Sequence, residues 1–169
     1  MGQEVLNMFF EQPTRNFHIR ELSRILNIPK TTISYHINDL LKKGLITKQK
    51  KDTFKSFKAN ETNELYRFHK RQAFLKKIIQ TELLNYLETE TTPKCMILFG
   101  SFAKAEYDQN SDIDIFIQAK ETKTDLTSFE KQLKHKINIL FENNPNNLSP
   151  ELLNNIINGV KLRGFLKIL

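Results

Sequence analysis

The sequence predicts an α+β protein built from two domains. Three observations carry this expectation. Apolar residues at helical spacing fill the first third of the chain, and short strand-like apolar runs separated by helical segments fill the rest. A polar stretch, Asn60-Glu61-Thr62-Asn63-Glu64, separates the two patterns. Positive charge is also uneven. Residues 1–70 carry 13 Lys/Arg against 7 Asp/Glu, a net +6, whereas residues 71–169 carry 13 against 12, a net +1. The length of 169 residues suits two small domains.

The N-terminal excess of charge calls for a polyanionic partner at that end. The single cysteine, Cys95, rules out an internal disulfide, fits a reducing compartment and is expected on a buried strand. No apolar run approaches the ~18 residues of a membrane span, and the N-terminus lacks a signal-peptide pattern. A cytoplasmic protein without a membrane partner is therefore expected. The four histidines, His18, His36, His69 and His135, show no metal-ligand spacing and read as groove-facing, core or surface residues.

In chain order, Gln3 to Phe10 reads as a first helix, ended by Gln12-Pro13-Thr14. Phe17-His18-Ile19 is a short extended piece. Arg20 to Leu26 predicts a second helix with Leu22, Ile25 and Leu26 inward. After the Asn27-Ile28-Pro29 turn, a third helix runs from about Lys30 to Lys43. It buries Ile33, Ile37, Leu40 and Leu41 and stops at Gly44. Leu45-Ile46 opens a strand, and Lys48 to Lys58 forms a hairpin turning near Lys51-Asp52. From Leu41 to Lys58 there are seven lysines and one aspartate. Phe54 and Phe57 interleave with these lysines and read as the packed side of the hairpin.

This order, and the segment IRELSRILNIPKTTISYHINDLLKKGLI, resemble the winged helix-turn-helix family. The resemblance implies that the third helix enters the major groove of duplex DNA. Lys30, Thr32, Tyr35 and His36 are then the expected groove contacts, with Lys48, Lys50, Lys51 and Lys55 on the phosphates. A helix-turn-helix used only for protein contacts is the competing reading.

Thr62 is placed to cap a long helix from about Asn63 to Thr89, with Leu65, Phe68, Phe74, Ile78, Leu83 and Leu87 along one stripe. That stripe serves either a homodimer or packing on the following domain, and Thr91-Thr92-Pro93 ends it. The expected organisation is a DNA-binding domain over 1–62, a connecting helix over 63–93 and a second domain over 94–169.

The second domain is organised by CMILFGSFAKAEYDQNSDIDIFI, Cys95 to Ile117. An apolar run ends in Gly100-Ser101, where a helix should begin and run through Glu106. Ten residues then pass before Asp112-Ile113-Asp114, which opens a second apolar run. In a strand, alternate side chains share a face, so Asp112 and Asp114 project together while Ile113, Ile115 and Ile117 enter a core. Paired carboxylates are commonly reconciled by a divalent cation. A Gly at a helix N-terminus leaves room for phosphate.

The Gly-Ser turn, the spacer and the Asp-x-Asp strand resemble the nucleotidyltransferase superfamily that includes polymerase beta, and most closely its minimal members. The resemblance covers Lys94 to Leu169. It implies a mixed sheet flanked by helices, triphosphate held by Gly100 and Ser101, and Mg2+ on Asp112 and Asp114 as the catalytic pair. Lys104 stands where the family often has Arg and is a candidate phosphate contact. Ala105 replaces the family's usual Gly.

Further on, Thr124 to Lys134 reads as a helix with Leu126, Phe129 and Leu133 inward, and His135 to Phe141 as the next strand. The family's third acid belongs on this strand, and the matching position holds Asn138. An amide carries no charge and cannot act as general base. Glu142 shares its face but lies ~13 Å away at about 3.3 Å per residue. Ser149-Pro150-Glu151 starts a last helix that buries Leu152, Leu153, Ile156 and Ile157, Gly159 ends it, and Val160 to Leu169 is a final strand. Arg163 on it reads as an edge charge.

Two functions follow. One is a DNA-binding nucleotidyltransferase that moves a nucleotidyl group from a magnesium nucleoside triphosphate to a toxin-like protein partner or small acceptor, and controls transcription. The other is a catalytically degenerate transcriptional regulator that uses the same fold to sense nucleotide or to dimerise.

Overall fold

The computed structural model describes residues 2–49 and 55–167. The chain forms two compact units, Met1–Lys70 and Arg71–Leu169. Both mix helix and sheet, as the sequence predicts.

The first unit contains α1 (Gly2–Glu11), β1 (Phe17–His18), α2 (Ile19–Leu26), α3 (Lys30–Lys42), β2 (Ile46–Gln49), β3 (Ser56–Ala59) and the start of α4 (Glu64–Gln80). The strands make an antiparallel sheet in the order β1-β3-β2. Its core is aromatic. Phe9 meets Phe17 edge-on at 5.1 Å, Phe10 meets Tyr66 at 5.3 Å, and the Tyr66 hydroxyl donates to the Phe9 carbonyl at 2.8 Å. Ile33, Ile37 and Leu40 bury one stripe of α3. Gly44 follows with φ +70, a conformation that suits glycine. Phe57 is buried as expected, and Phe54 lies outside the described residues.

Two residues expected inward are exposed: Ile157 at 47%, in the second unit, and Ile25 at 50% on α2. A two-turn helix has room for only a narrow buried stripe; Leu22 and the half-buried Leu26 occupy it, and left-handed Asn27 ends it.

The second unit holds the rest of α4, then α5 (Leu83–Thr91), β4 (Cys95–Phe99), α6 (Gly100–Lys104), β5 (Ile113–Ile117), α7 (Thr127–Leu133), β6 (Ile137–Phe141), α8 (Pro150–Ile157) and β7 (Val160–Gly164). The sheet order is β6-β5-β4-β7. β5 and β6 run parallel and the other neighbours antiparallel, so the sheet is mixed. Alternation assigns its faces. Met96, Leu98, Ile113, Ile115 and Ile117 join Ile78, Leu84 and Leu87 in one core, while Cys95, Ile97 and Phe116 pack with Ile156 of α8 on the other. Burial raises the Cys95 thiol pKa above its ordinary value.

Several element bounds differ from expectation for local reasons. The single helix expected over 63–89 is two helices. Thr81 Oγ donates to the Ile78 carbonyl, Glu82 turns left-handed at φ 60, and α5 then returns Leu83, Leu84 and Leu87 to the core that holds Ile78. α6 ends at Lys104 because Ala105 is left-handed at φ 59. α7 starts at Thr127, whose N–H is taken by Asp125 Oδ1 at 3.0 Å, so Asp125 lies in the preceding loop. Left-handed Lys134 delays β6 to Ile137. β7 ends at Gly164, where a Cβ would stand 2.0 Å from the Lys94 carbonyl oxygen.

Candidate functional site

The strand register assembles the site. Phe99, the last residue of β4, pairs with Asp114 of β5, so the chain leaves β4 beside that aspartate. The next residue, Gly100, adopts φ +69, and a Cβ there would stand 2.5 Å from Asp114 Oδ2. Only glycine gives both the conformation and the space. Ser101 follows, partly buried, and Lys104 is exposed at the end of α6. The Ala105 turn closes with the Glu106 N–H on the Ser101 carbonyl at 2.9 Å.

The connection to β5 is ordered by its own polar groups. Asp108 N–H donates to Ser111 Oγ, and Asn110 N–H to Asp108 Oδ1, both at 2.9 Å. Asp112 is exposed immediately before β5, and Asp114 is partly buried within it. β6 runs parallel to β5 with Asn138 opposite Asp114. Asn138 Nδ2 donates to Asp114 Oδ1 at 3.2 Å and to Asp112 Oδ2 at 3.4 Å. One amide thus bridges two carboxylates. Its positive N–H edge offsets their repulsion without a cation.

A rotation of that amide by half a turn would present Oδ1 instead. Asp112, Asp114 and Asn138 would then offer only oxygen donors, which suits a hard cation such as Mg2+. The room beside Gly100 adds to the fit. Among the described residues no group of three or more His, Cys, Asp or Glu gathers to hold a metal, so the carboxylate count remains two.

Other acids are engaged elsewhere. Glu142 Oε1 accepts from Asn144 N–H at 2.8 Å and from Asn147 Nδ2 at 3.3 Å. Glu130 Oε1 accepts the Ile137 N–H at 3.0 Å. Asp125 is held below the usual carboxylate range by its hydrogen bonds from Thr127. Arg163 faces Asn85 at 3.4 Å and Glu88 at 3.6 Å. Sequence reasoning left one residue near the site unassigned: His135, 7% exposed, with Nδ1 2.8 Å from the Ser111 carbonyl. Its signal in the sequence is its place on the inward face of the expected strand, in alternation with Ile137 and Ile139.

In the first unit, Lys30 opens α3 and is exposed, Tyr35 is 71% exposed, and Thr32 is half-buried. Lys48 on β2 and Lys55 just before β3 are exposed; Lys50 and Lys51 lie outside the described residues. His36 is half-buried on α3. Its position falls between the buried stripe and the outer face of α3, and a Cβ on Gly2 would stand 3.3 Å from its Nδ1. With Leu6, Leu40, Lys43 and His69 it walls a cleft of about 530 Å³ on the α1 side.

Two family models match this chain. Residues 81–162 match "Polymerase beta, Nucleotidyltransferase", and residues 5–53 match "MarR family". The chain joins a MarR-type winged helix domain to a polymerase-beta-type nucleotidyltransferase domain. Comparison with curated proteins and with solved structures returned no match. The nucleotidyltransferase match spans α5 to β7 and so contains Gly100, Asp112, Asp114 and Asn138. The winged helix match spans α1 to β2 and contains Lys30, Tyr35 and Lys48. No helix among the described residues is long and apolar enough to cross a membrane.

Gly100→Ala provides a direct check of the close approach at the site. The left-handed backbone alone costs about 1–2 kcal/mol for a residue with a Cβ. Asp114 can turn its carboxylate away from the new methyl, so the fold survives while the aspartate is displaced. Thermal melts are expected to show that modest loss, and any ligand binding that depends on Asp114 is expected to weaken with it by calorimetry. Gly44→Ala, at φ +70 in the other unit, is the control that keeps binding intact.

Proposed function

We propose that this protein is a DNA-binding regulator whose nucleotidyltransferase domain binds a magnesium nucleoside triphosphate. The observation that carries the proposal is the Asp112–Asn138–Asp114 bridge. It keeps two carboxylates together on the strand face beside Gly100 and places a neutral amide where a third acid would stand.

Mg2+, when bound, neutralises phosphate charge and favours in-line attack on phosphorus. The remaining roles belong to this chain. Asp112 and Asp114 hold the cation, with Asn138 as a neutral oxygen ligand. Gly100 leaves backbone space for the triphosphate, Ser101 presents the start of α6 to it, and Lys104 supplies positive charge at the open side. Asn138 cannot take a proton from an acceptor at neutral pH. Binding is therefore retained while activation of the attacking group is lost, which suits a nucleotide-responsive regulator.

The test is calorimetry with each of the four Mg-NTPs, wild type against Asp112→Ala/Asp114→Ala. Removing two charged ligands at 1.5–3 kcal/mol each predicts a loss of about 100-fold or more. Absence of magnesium-dependent binding by the wild type would sink the proposal.

A second reading is nucleotidyl transfer to a partner protein. It is favoured by exposure: Asp112, Asn138 and Lys104 all reach solvent, so a macromolecular acceptor has access. It predicts labelled nucleotide on a toxin-like partner, abolished by Asp112→Ala. Failure to label any partner with any nucleotide would reject it.

A further inference from the structure

We infer that His135 is a positioning residue that fixes Asp112 for the cation. The inference rests on the magnesium-nucleotide reading of the site. Asp112 stands just ahead of β5, where strand pairing has not yet begun. Its two flanking peptide planes are nevertheless both tied to the segment that leads into β6. On one side, His135 Nδ1 lies 2.8 Å from the Ser111 carbonyl oxygen. On the other, Ile113 N–H donates to the Lys136 carbonyl at 2.8 Å.

A peptide unit is planar, so fixing the Ser111 oxygen also fixes the amide nitrogen of Asp112, and fixing the Ile113 nitrogen fixes its carbonyl carbon. The Cα of Asp112 is thus held from both sides. A carbonyl oxygen can only accept, so the proton at this contact is on His135 Nδ1. The ring itself is kept in place by aromatic neighbours. Phe102 lies edge-on at 5.0 Å and 82°, and Tyr107 at 6.2 Å and 84°. Phe102 and Tyr107 are stacked on each other at 4.1 Å, and Phe102 belongs to α6, which starts at Gly100. One buried imidazole therefore connects the α6 side of the site, the loop bearing Asp112 and the strand bearing Asn138. Partners that orient a metal ligand without touching the metal commonly set affinity by 10–100-fold.

The experiment compares wild type, His135→Phe and His135→Asn in the full-length protein. Phe keeps a ring in the aromatic setting and removes the donor. Asn places an N–H at the same bond distance from Cβ as Nδ1 and restores that one contact. Hydrogen exchange across residues 108–114 is read without metal, and the Kd for Mg2+ is read by calorimetry in the presence of ATP. Expected for His135→Phe is exchange at Ile113 faster by about tenfold, and a Kd raised by roughly 10-fold. Asn is expected to recover most of both, with thermal midpoints of the two variants alike. Exchange unchanged in His135→Phe, or losses that Asn does not rescue, overturn the inference. If exchange responds as expected while the wild type binds no Mg-ATP, His135 positions Asp112 as inferred and the nucleotide reading of the site is what fails.

Discussion

Asn138→Asp is expected to make magnesium binding much tighter and the metal-free protein less stable. The substitution is isosteric, so packing on β6 is unchanged and the effect is electrostatic. Without metal, the variant loses the two hydrogen bonds that Asn138 donates to Asp112 and Asp114. It also adds a third negative charge within the same cluster. The site is open to water, so repulsion is screened, and the two effects together cost about 1–2 kcal/mol. For a unit of this size that lowers the melting point by roughly 4–8 °C per kcal/mol. With metal the sign reverses. A unit charge about 4 Å from a doubly charged cation contributes about 2 kcal/mol in water, or roughly 30-fold in affinity. Saturating Mg2+ should therefore return more stability to the variant than to the wild type. Paired melts with and without Mg2+, and calorimetric titration, check both halves. Equal magnesium affinity in the two proteins would show that Asn138 lies outside the cation's reach. The variant also regains a carboxylate able to accept a proton, so appearance of labelled product only in Asn138→Asp would identify the amide as what holds chemistry back.

The path from sequence to site was short wherever strand alternation governed it. Asp112 and Asp114 share a face because their side chains are two residues apart, and the apolar run after them fixes which face is buried. On β6, alternation turns Ile137 and Ile139 inward and Asn138 outward, the family resemblance matches Asn138 to the third-acid position, and the register sets it opposite Asp114. Ala105 stands where the family usually has Gly, which puts the following turn in question, and the turn forms with Ala105 at φ 59. What could not be read was set by hydrogen bonds between distant residues. Alternation puts His135 on the inward face with Ile137 and Ile139, but it does not name the Ser111 carbonyl as the partner, a contact that spans 24 residues. The break between α4 and α5 also escaped the sequence. Thr81-Glu82 contains neither Gly nor Pro, and the turn is imposed by the need to bring Leu83 and Leu87 back to the core of Ile78. Helical periodicity likewise places His36 on a face of α3 without saying what stands beside it, which is Gly2 of α1.

Duplex binding is expected to depend on salt with a slope that counts the lysines engaged. Each lysine on a phosphate releases condensed counterions, giving a slope of about −0.9 per contact in log K against log salt. Lys48, Lys50, Lys51 and Lys55 are the lysines expected on phosphates, and Lys30, expected in the groove, can reach a phosphate from there as a fifth. Five contacts predict a slope of about −4.5, so affinity falls roughly 500-fold between 50 and 200 mM salt. Each Lys→Ala change in the set should shift the slope by about one unit and weaken all sequences alike. Tyr35→Ala and Thr32→Ala should act otherwise: they alter base contacts, leave the slope unchanged and reduce preference among sequences. Two chains reading paired half-sites would double the slope to about −9, so the same titration separates a single winged helix from a homodimer on DNA. Asp114→Ala should leave the nucleotide-free slope untouched, because its carboxylate belongs to the other unit. A slope near zero, with affinity indifferent to the lysines, would mean that the winged helix contacts protein rather than duplex. If instead the slope is steep and Mg-NTP shifts the affinity without changing it, nucleotide alters how much binding-competent protein is present rather than how many phosphates it touches.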